Sequence, residues 1–159
     1  MSPSAIRKAR PDDAALVCKL LYELAEYEKL AANFALTEDM VRRDMLTPNT
    51  TCHCALGFAA GEPVGIATWF FTYRSFRARR NLYVEDLFVR PQFRGQGHGK
   101  ALLAWLAREA TAIGAGMEWQ VLDWNLPAIA FYRGIGAAPL ENWITYRLED
   151  QAVAALAAT

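Results

Sequence analysis

The chain has 159 residues, 53% hydrophobic and 12% aromatic, so it is long enough and apolar enough to bury a core. Its 17 basic and 17 acidic residues cancel, which excludes a general electrostatic attraction to nucleic acid or membranes. The most apolar run, Val64 to Phe71, is too short to cross a bilayer, and Met1 to Lys8 lacks the apolar core of a secretion signal. We therefore predict one cytoplasmic domain over residues 1–159.

The three cysteines do not suggest a disulfide framework, because an odd number occurs without an export signal. Cys52-His53-Cys54 could suggest a metal site. On a strand, however, the two cysteines share one face and His53 points to the other, so the three cannot bind one ion. We predict buried strand cysteines and no metal.

The first half of the chain begins with a short strand, Ala5 to Arg10, which Pro11 ends. Asp12 or Asp13 is predicted to cap a helix, and Thr37 to begin a second helix that ends before Pro48. Residues 30–36 between them are predicted to be a loop. The first helix has an apolar face at helical spacing, formed by Val17, Leu20, Leu21, Leu24 and Tyr27, and a charged face formed by Lys19, Glu23 and Glu26.

The middle of the chain has the composition of β-strands. Cys52 to Ala59 and Val64 to Tyr73 are separated by a Gly-Glu-Pro turn and predict an antiparallel hairpin. Residues 74–80 contain four arginines and are predicted to be the loop before a third strand, which ends at Val89.

The most informative stretch follows that strand. After Pro91 come Arg94 and three alternating glycines, Gly95, Gly97 and Gly99, and a helical pattern starts directly behind them. Glycines let the backbone approach a ligand closely, and the first N–H groups of a helix attract anions. A phosphate or pyrophosphate site is predicted, with a plain tight turn as the alternative. The spacing fits neither the Walker motif nor the dinucleotide fingerprint.

The remaining elements complete a mixed sheet. The helix behind the glycines ends at Gly114, and a strand from Met117 to Leu122 follows. Asn125 begins another helix, Trp143 to Leu148 is predicted to be a last strand, and the tail from Gln151 is predicted to be frayed. The strand-helix-strand unit from residue 83 to 122 should be a parallel, right-handed crossover in an otherwise antiparallel sheet.

Two motifs carry a resemblance to a known family. Arg94-x-x-Gly97-x-Gly99 resembles the pyrophosphate-binding signature of the GCN5-related N-acetyltransferases, and the segment from Asn125 to Gly136 resembles their later motif. The resemblance implies an α/β fold in which two parallel strands splay apart, with acetyl-CoA as cosubstrate. The positions implied to hold acetyl-CoA are Leu87, Phe88, Val89, Arg94, Gly95, Gln96, Gly97, His98, Gly99, Lys100, Asn125, Leu126, Pro127 and Ala128.

A finer resemblance is to the spermidine/spermine diamine acetyltransferases and their thialysine-acetylating relatives. It lies in residues 23–28, 83–89, 94–99 and 121–132, and it implies a homodimer. Residues 29–33 are less acidic than in the polyamine enzymes, and residues 74–80 are rich in arginine, which favours a short, lysine-like amine over a long polycation. The implied amine-binding positions are Tyr27, Glu28, Glu85, Glu118, Trp119 and Gln120.

The chemistry requires removal of a proton, because an alkyl amine with a pKa near 10.4 is almost fully protonated at neutral pH. Glu85 is the candidate base, directly or through water, or else a strand carboxylate paired with an arginine. Asp86 points to the other face and is predicted to be structural. By resemblance, Tyr132 is the acid that protonates the departing thiolate. His98 is predicted to contribute its backbone amide.

The same motifs leave two other functions open. The chain could acetylate a protein lysine or amino terminus, or it could bind acyl-CoA without catalysis. The arginines of residues 74–80 could form a solvated loop, a site for the CoA phosphate or a partner surface.

Overall fold

The computed structural model describes residues 5–159, which form two compact units that divide after Gln120. The strands are β1 (Ala5–Lys8), β2 (His53–Ala59), β3 (Glu62–Arg74), β4 (Arg79–Val89) and β5 (Gly116–Trp119). The helices are α1 (Ala14–Tyr27), α2 (Glu38–Met45), α3 (His98–Ala112), α4 (Leu126–Gly134) and α5 (Asp150–Ala157). The first unit contains β1 to β5 and α1 to α3; the second contains α4 and α5. None of the described helices combines the length and the apolar character needed to cross a bilayer.

The sheet has the strand order β1-β2-β3-β4-β5. Strands β1 to β4 pair with one another antiparallel, and β5 pairs parallel with β4 from Asn81↔Gly116 to Val84↔Trp119. Because β4 and β5 are joined through α3, the predicted parallel crossover in an otherwise antiparallel sheet is confirmed, as is the β2–β3 hairpin. The β4–β5 pairing ends at Val84, although β4 continues to Val89.

Helices pack on both faces of this sheet. Leu56 and Ile66 lie in one buried cluster with the apolar face of α1, as the helical spacing predicted. On the other face Trp69 packs edge-to-face against Trp105 of α3, with ring centroids 5.5 Å apart. Neighbouring strand residues face opposite sides of the sheet, so β3 places Ile66 toward α1 and Trp69 toward α3.

A β-bulge at Glu85 changes the direction of side chains along β4. Thr68 pairs with Asp86 but the next residue, Trp69, pairs with Val84, so Glu85 is the extra residue of β4. Val84 therefore shares the α3 face with Trp69. Asp86, only two residues later, shares the α1 face with Thr68, where an unbulged strand would have kept it beside Val84.

Two helix starts behave differently. Thr37 caps α2 as predicted, because its hydroxyl oxygen accepts a hydrogen bond from the Met40 amide at 3.3 Å. Asp13 occupies the position before α1, but its carboxylate accepts bonds from Arg7 at 2.6 and 2.8 Å and from the Arg10 amide at 2.7 Å. The predicted cap is therefore an ion pair that joins β1 to the start of α1.

Several predicted segments are wrong. The arginine-rich loop is shorter than residues 74–80, because β4 already begins at Arg79. The predicted last strand is irregular: Trp143 and Tyr146 are 79% and 88% exposed, and no described strand pairs with residues 143–148. A strand needs a neighbour for its backbone hydrogen bonds. The tail forms α5 instead of fraying, since its alanines favour helix.

Candidate active site

The glycine turn lies between the end of β4 and the start of α3. Gly95 and Gly97 have φ angles of +72° and +86°, which L side chains rarely adopt, and Gly97 directly precedes the first helical residue, His98. No described atom lies within 4 Å of a Cβ placed at either glycine, so the turn is open on that side. The N–H groups of the first turn of α3 have no partner within the helix. An open turn with these donors suits an anion.

Arg94 connects the glycine turn to α1. Its Nε donates to the Val89 carbonyl oxygen at 2.9 Å, and its guanidinium carbon lies 4.2 Å from the ring centroid of Tyr27. Such a distance is typical of a cation–π contact. The structure thus brings together one residue predicted to bind the cosubstrate and one predicted to bind the amine.

A second contact between the end of β4 and α1 could not be predicted from the sequence. Arg90 makes two hydrogen bonds with the Glu23 carboxylate, at 2.8 and 2.7 Å, and a third with the Pro63 carbonyl at 3.0 Å. The helical spacing assigned Glu23 only to the charged face of α1. Its partner is 67 residues away, and no local pattern could reveal the pair.

Glu28 and Asp86 line one cavity of about 210 Å³. Burial raises the pKa of both carboxyl groups, and the charge of Asp86 raises that of Glu28 further. Asp86 also accepts a short hydrogen bond from the Thr68 hydroxyl, which opposes the effect of burial on its pKa. The remaining lining residues are uncharged: Leu21, Leu24, Ala25, Leu30, Phe34 and Leu36.

Glu85 lies near other predicted site residues of the same unit. Burial raises the pKa of Tyr83, and the negative charges of Glu85 and Glu118 raise it further, so both carboxylates lie near this phenol. Glu118 is held by the Asn81 side-chain amide, which donates to its carboxylate at 3.2 Å. Trp119 follows on β5, opposite Val84, and Gln120 is the last residue of the unit.

A larger cavity, of about 420 Å³, has Cys52 in its lining. Burial raises the pKa of Cys52 to about 11, with further contributions from Asp86 and Glu85. Both carboxylates therefore lie close enough to Cys52 to affect its pKa. The other lining residues are Thr50, Thr51, His53, Phe70 and Phe71.

The predicted separation of the cysteine and histidine faces is confirmed. Cys54 is buried in the cluster with α1. The ring of His53 instead stacks on Trp69, with centroids 5.3 Å apart, on the opposite face of the sheet. His98 is also buried, and its ring packs edge-to-face on Phe93 at 6.2 Å.

The second unit contains the other predicted cosubstrate positions. Asn125 caps α4, because its side-chain oxygen accepts from the Ala128 amide at 3.4 Å, and Pro127 lies in the first turn. Tyr132 lies further along α4, with its ring centroid 5.4 Å from that of Phe131. The capped helix agrees with the sequence prediction, while the roles of these residues stay predictions.

The mixed sheet, its parallel β4–α3–β5 unit and the open glycine turn define the class of acyl-transferring enzymes to which the sequence motifs point. Residues 17–137 match the acetyltransferase (GNAT) family, and the chain belongs to this family. It is an N-acetyltransferase, from a family whose members use acetyl-CoA as the acetyl donor.

Curated relatives cover nearly the whole chain. Thialysine N-epsilon-acetyltransferase from Sus scrofa is 35% identical over 99% of both chains. L-ornithine N5-acetyltransferase NATA1 from Arabidopsis thaliana is 29% identical over 96% of this chain and 87% of its own. An integron cassette protein from V. cholerae has a similar fold, with a TM-score of 0.83 at 22% identity, over 100% of this chain and 99% of its own.

Proposed function

We propose that this enzyme transfers the acetyl group of acetyl-CoA to a primary amine of a small molecule, either a lysine-like amino acid or a diamine. The observation that carries the proposal is the arrangement along β4, which ends at Val89 shortly before the open glycine turn and has two carboxylates, Glu85 and Asp86, near that end. The four residue-to-residue steps from Glu85 to Val89 correspond to roughly 13 Å. The names of two relatives specify thialysine and L-ornithine, and they support a small amino acid with a side-chain amine as the acceptor.

The acceptor must first lose a proton. Near pH 7 only about one alkyl amine in 2,500 is neutral, and forming that species costs about 4.6 kcal/mol. Glu85 attracts the ammonium group and accepts its proton, directly or through one water. The neutral nitrogen then attacks the thioester carbonyl carbon.

The second half of the reaction stabilises and then collapses the tetrahedral oxyanion. Main-chain N–H groups between Leu87 and Val89 are the candidate donors, because β4 runs past its last pair with β5 at Val84. As the carbonyl re-forms, the C–S bond breaks, and the nitrogen releases its remaining extra proton to water to give the neutral amide. Tyr132 supplies the proton that the departing thiolate takes up, a role that rests on the resemblance of its motif.

We further propose that the enzyme works as a homodimer in the cytoplasm.

An acceptor panel tests the proposal. Thiol release from acetyl-CoA should be measured with lysine analogues, ornithine, short diamines, polyamines and lysine-containing peptides. We expect turnover with small amines and little with peptides. Preference for peptides would instead support protein acetylation, and binding of acetyl-CoA without turnover of any amine would leave only the non-catalytic function.

Two substitutions separate the proposed roles. Arg94→Ala should raise the KM for acetyl-CoA about tenfold or more, the effect of losing a hydrogen bond to a charged group, with Arg108→Ala on exposed α3 surface as its control. Tyr132→Phe should lower kcat about 100-fold and leave acetyl-CoA affinity intact. Tyr146→Phe, at an 88% exposed residue of the same unit, is the matched control.

A further inference from the structure

Strand β3 is longer than its neighbour β2. β2 begins at His53, opposite Trp69, whereas β3 continues to Arg74. The segment before β2 does not prolong the pairing, because the Thr50 hydroxyl donates a short hydrogen bond to the Asp44 carbonyl and ties this segment to α2. Within the described residues, residues 70–74 therefore pair with β4 and have no strand on their other side. This segment is the free edge of β3.

Two residues of the free edge direct their main-chain groups away from β4. The Cys54 carbonyl accepts a hydrogen bond at 2.9 Å from the chain after β1, so its neighbour His53 directs its own groups to β3. Trp69, opposite His53, faces back toward β2. Because this direction alternates along a strand, Phe71 and Tyr73 face the same side as Trp69. Their N–H and C=O groups are placed to pair with a further strand.

The cavity of about 420 Å³ lies where the free edge begins. It is lined by Phe70 and Phe71 of β3 and by residues 50–53. A strand added beside β3 brings its side chains alongside those of β3, so a side chain opposite Phe71 meets this cavity. The two phenylalanine rings suit an apolar side chain there.

The hairpin after the free edge, residues 73–80, carries a local excess of positive charge. Its four arginines are Arg74, Arg77, Arg79 and Arg80. No acidic residue occurs in the sequence between Glu62 and Glu85, and no ion pair within residues 5–159 includes any of the four. Phe76 at the hairpin tip is fully exposed, and Tyr73 is 66% exposed. Unpaired arginines beside exposed aromatic rings are typical of a surface that binds an anionic partner.

The cosubstrate is not the anion that these arginines meet. β4 begins at Arg79, and the glycine turn follows its other end at Val89. The ten residue-to-residue steps between these two residues correspond to roughly 33 Å of strand. The remaining phosphate of CoA is attached one ribose away from the pyrophosphate, so it stays near the glycine turn. The hairpin therefore serves another molecule.

We propose that an extended, acidic segment of a partner protein binds along residues 70–74 as an additional strand of the sheet. Its main chain pairs with Phe71 and Tyr73, its carboxylates meet the hairpin arginines, and one apolar side chain enters the cavity. Strand addition to a free sheet edge is a general mode of peptide recognition, in which the main chain gives affinity and pockets give specificity. A nucleic acid has no peptide groups with which to continue the ladder, so the free edge favours a polypeptide.

A short, fluorescently labelled peptide of alternating valine and glutamate tests this assignment with the full-length enzyme. We expect binding by fluorescence anisotropy, and at least tenfold weaker binding of two matched peptides. One has lysine in place of glutamate, and the other has every amide N-methylated and so lacks main-chain donors. The double variant Arg74→Ala/Arg80→Ala should weaken binding of the acidic peptide about fivefold or more, the effect of losing two exposed ion pairs. Arg10→Ala/Arg108→Ala makes the same charge change at exposed positions elsewhere and should leave the Kd unchanged.

Four outcomes would overturn the proposal. Equal binding of the acidic and lysine peptides would exclude recognition by the arginines, and equal binding of the N-methylated peptide would exclude strand addition. An equal loss in the control variant would reduce the effect to net charge. Tighter binding of single-stranded oligothymidylate, lost in the hairpin variant, would assign the surface to nucleic acid. Dissociation of a dimer by the hairpin variant in analytical ultracentrifugation would assign it to a second copy of the chain.

Discussion

The ion pair between Arg90 and Glu23 should be a major link between α1 and the end of β4. Arg90 directly precedes the segment that leads into the glycine turn, and two parallel hydrogen bonds of 2.8 and 2.7 Å join it to the Glu23 carboxylate. Its side chain is 13% exposed and that of Glu23 is 25% exposed. Paired geometry of this kind is the strongest form of a side-chain ion pair.

The expected magnitude follows from this partial burial. Removing one partner from a fully buried pair costs about 3–5 kcal/mol, whereas exposed pairs contribute about 0.2–1 kcal/mol. Because water still reaches both side chains, we expect a coupling free energy of about 1–3 kcal/mol. For a protein of this length, a loss of that size lowers Tm by roughly 2–12 °C.

A double-mutant cycle measures the coupling. Glu23→Gln, Arg90→Gln and the double variant should be compared with wild type by urea unfolding. The exposed pair of Arg42 and Glu38 within α2, about half exposed on each side, is the matched control. Its coupling should be about 0.3–0.5 kcal/mol. A coupling at Arg90 and Glu23 no larger than in the control would refute the reasoning.

Three further predictions concern stability and reactivity. Gly65→Ala should lower Tm, because the added Cβ would lie 2.4 Å from the Phe88 carbonyl oxygen, a clash that costs about 1–3 kcal/mol. Gly57, which pairs with Gly65 across β2 and β3, is the control: an added Cβ there has ordinary contacts of 3.6 Å, so Gly57→Ala should leave Tm unchanged. Because partial burial raises the pKa of Cys52 to about 11, it should react with iodoacetamide at pH 8 about 100-fold more slowly than an exposed thiol, as measured by mass spectrometry; equal rates would contradict the raised pKa. The hydrogen bond with Arg7 lowers the pKa of Asp13 in the folded state. The ion pair therefore stabilises the fold above about pH 4, and this stabilisation is lost as pH falls through the folded-state pKa of Asp13. Asp13→Asn should therefore reduce the difference in unfolding free energy between pH 7 and pH 3, and an unchanged difference would exclude this pair as its source.

The wrong predictions have different physical causes. Residues 143–148 have the composition of a strand, but a strand forms only where a neighbour supplies backbone hydrogen bonds, and that neighbour is a property of the whole fold. The tail was predicted to fray because it is terminal, although its alanines carry the local preference for helix. Asp13 had the sequence position of a cap, but a guanidinium on β1 offered its carboxylate stronger bonds.

By itself the sequence determined the features that depend on near neighbours in the chain. The helical face of α1, the β2–β3 hairpin and the glycine turn before α3 all follow from spacing and backbone preference. Only the tertiary structure decided which distant groups meet. It paired Arg90 with Glu23, stacked Arg94 on Tyr27, and turned Asp86 toward Glu28 through one extra residue in β4. Ion pairs and contacts between residues that lie tens of positions apart form only when the elements that carry them pack together. The local sequence of a strand does not specify which element packs against it.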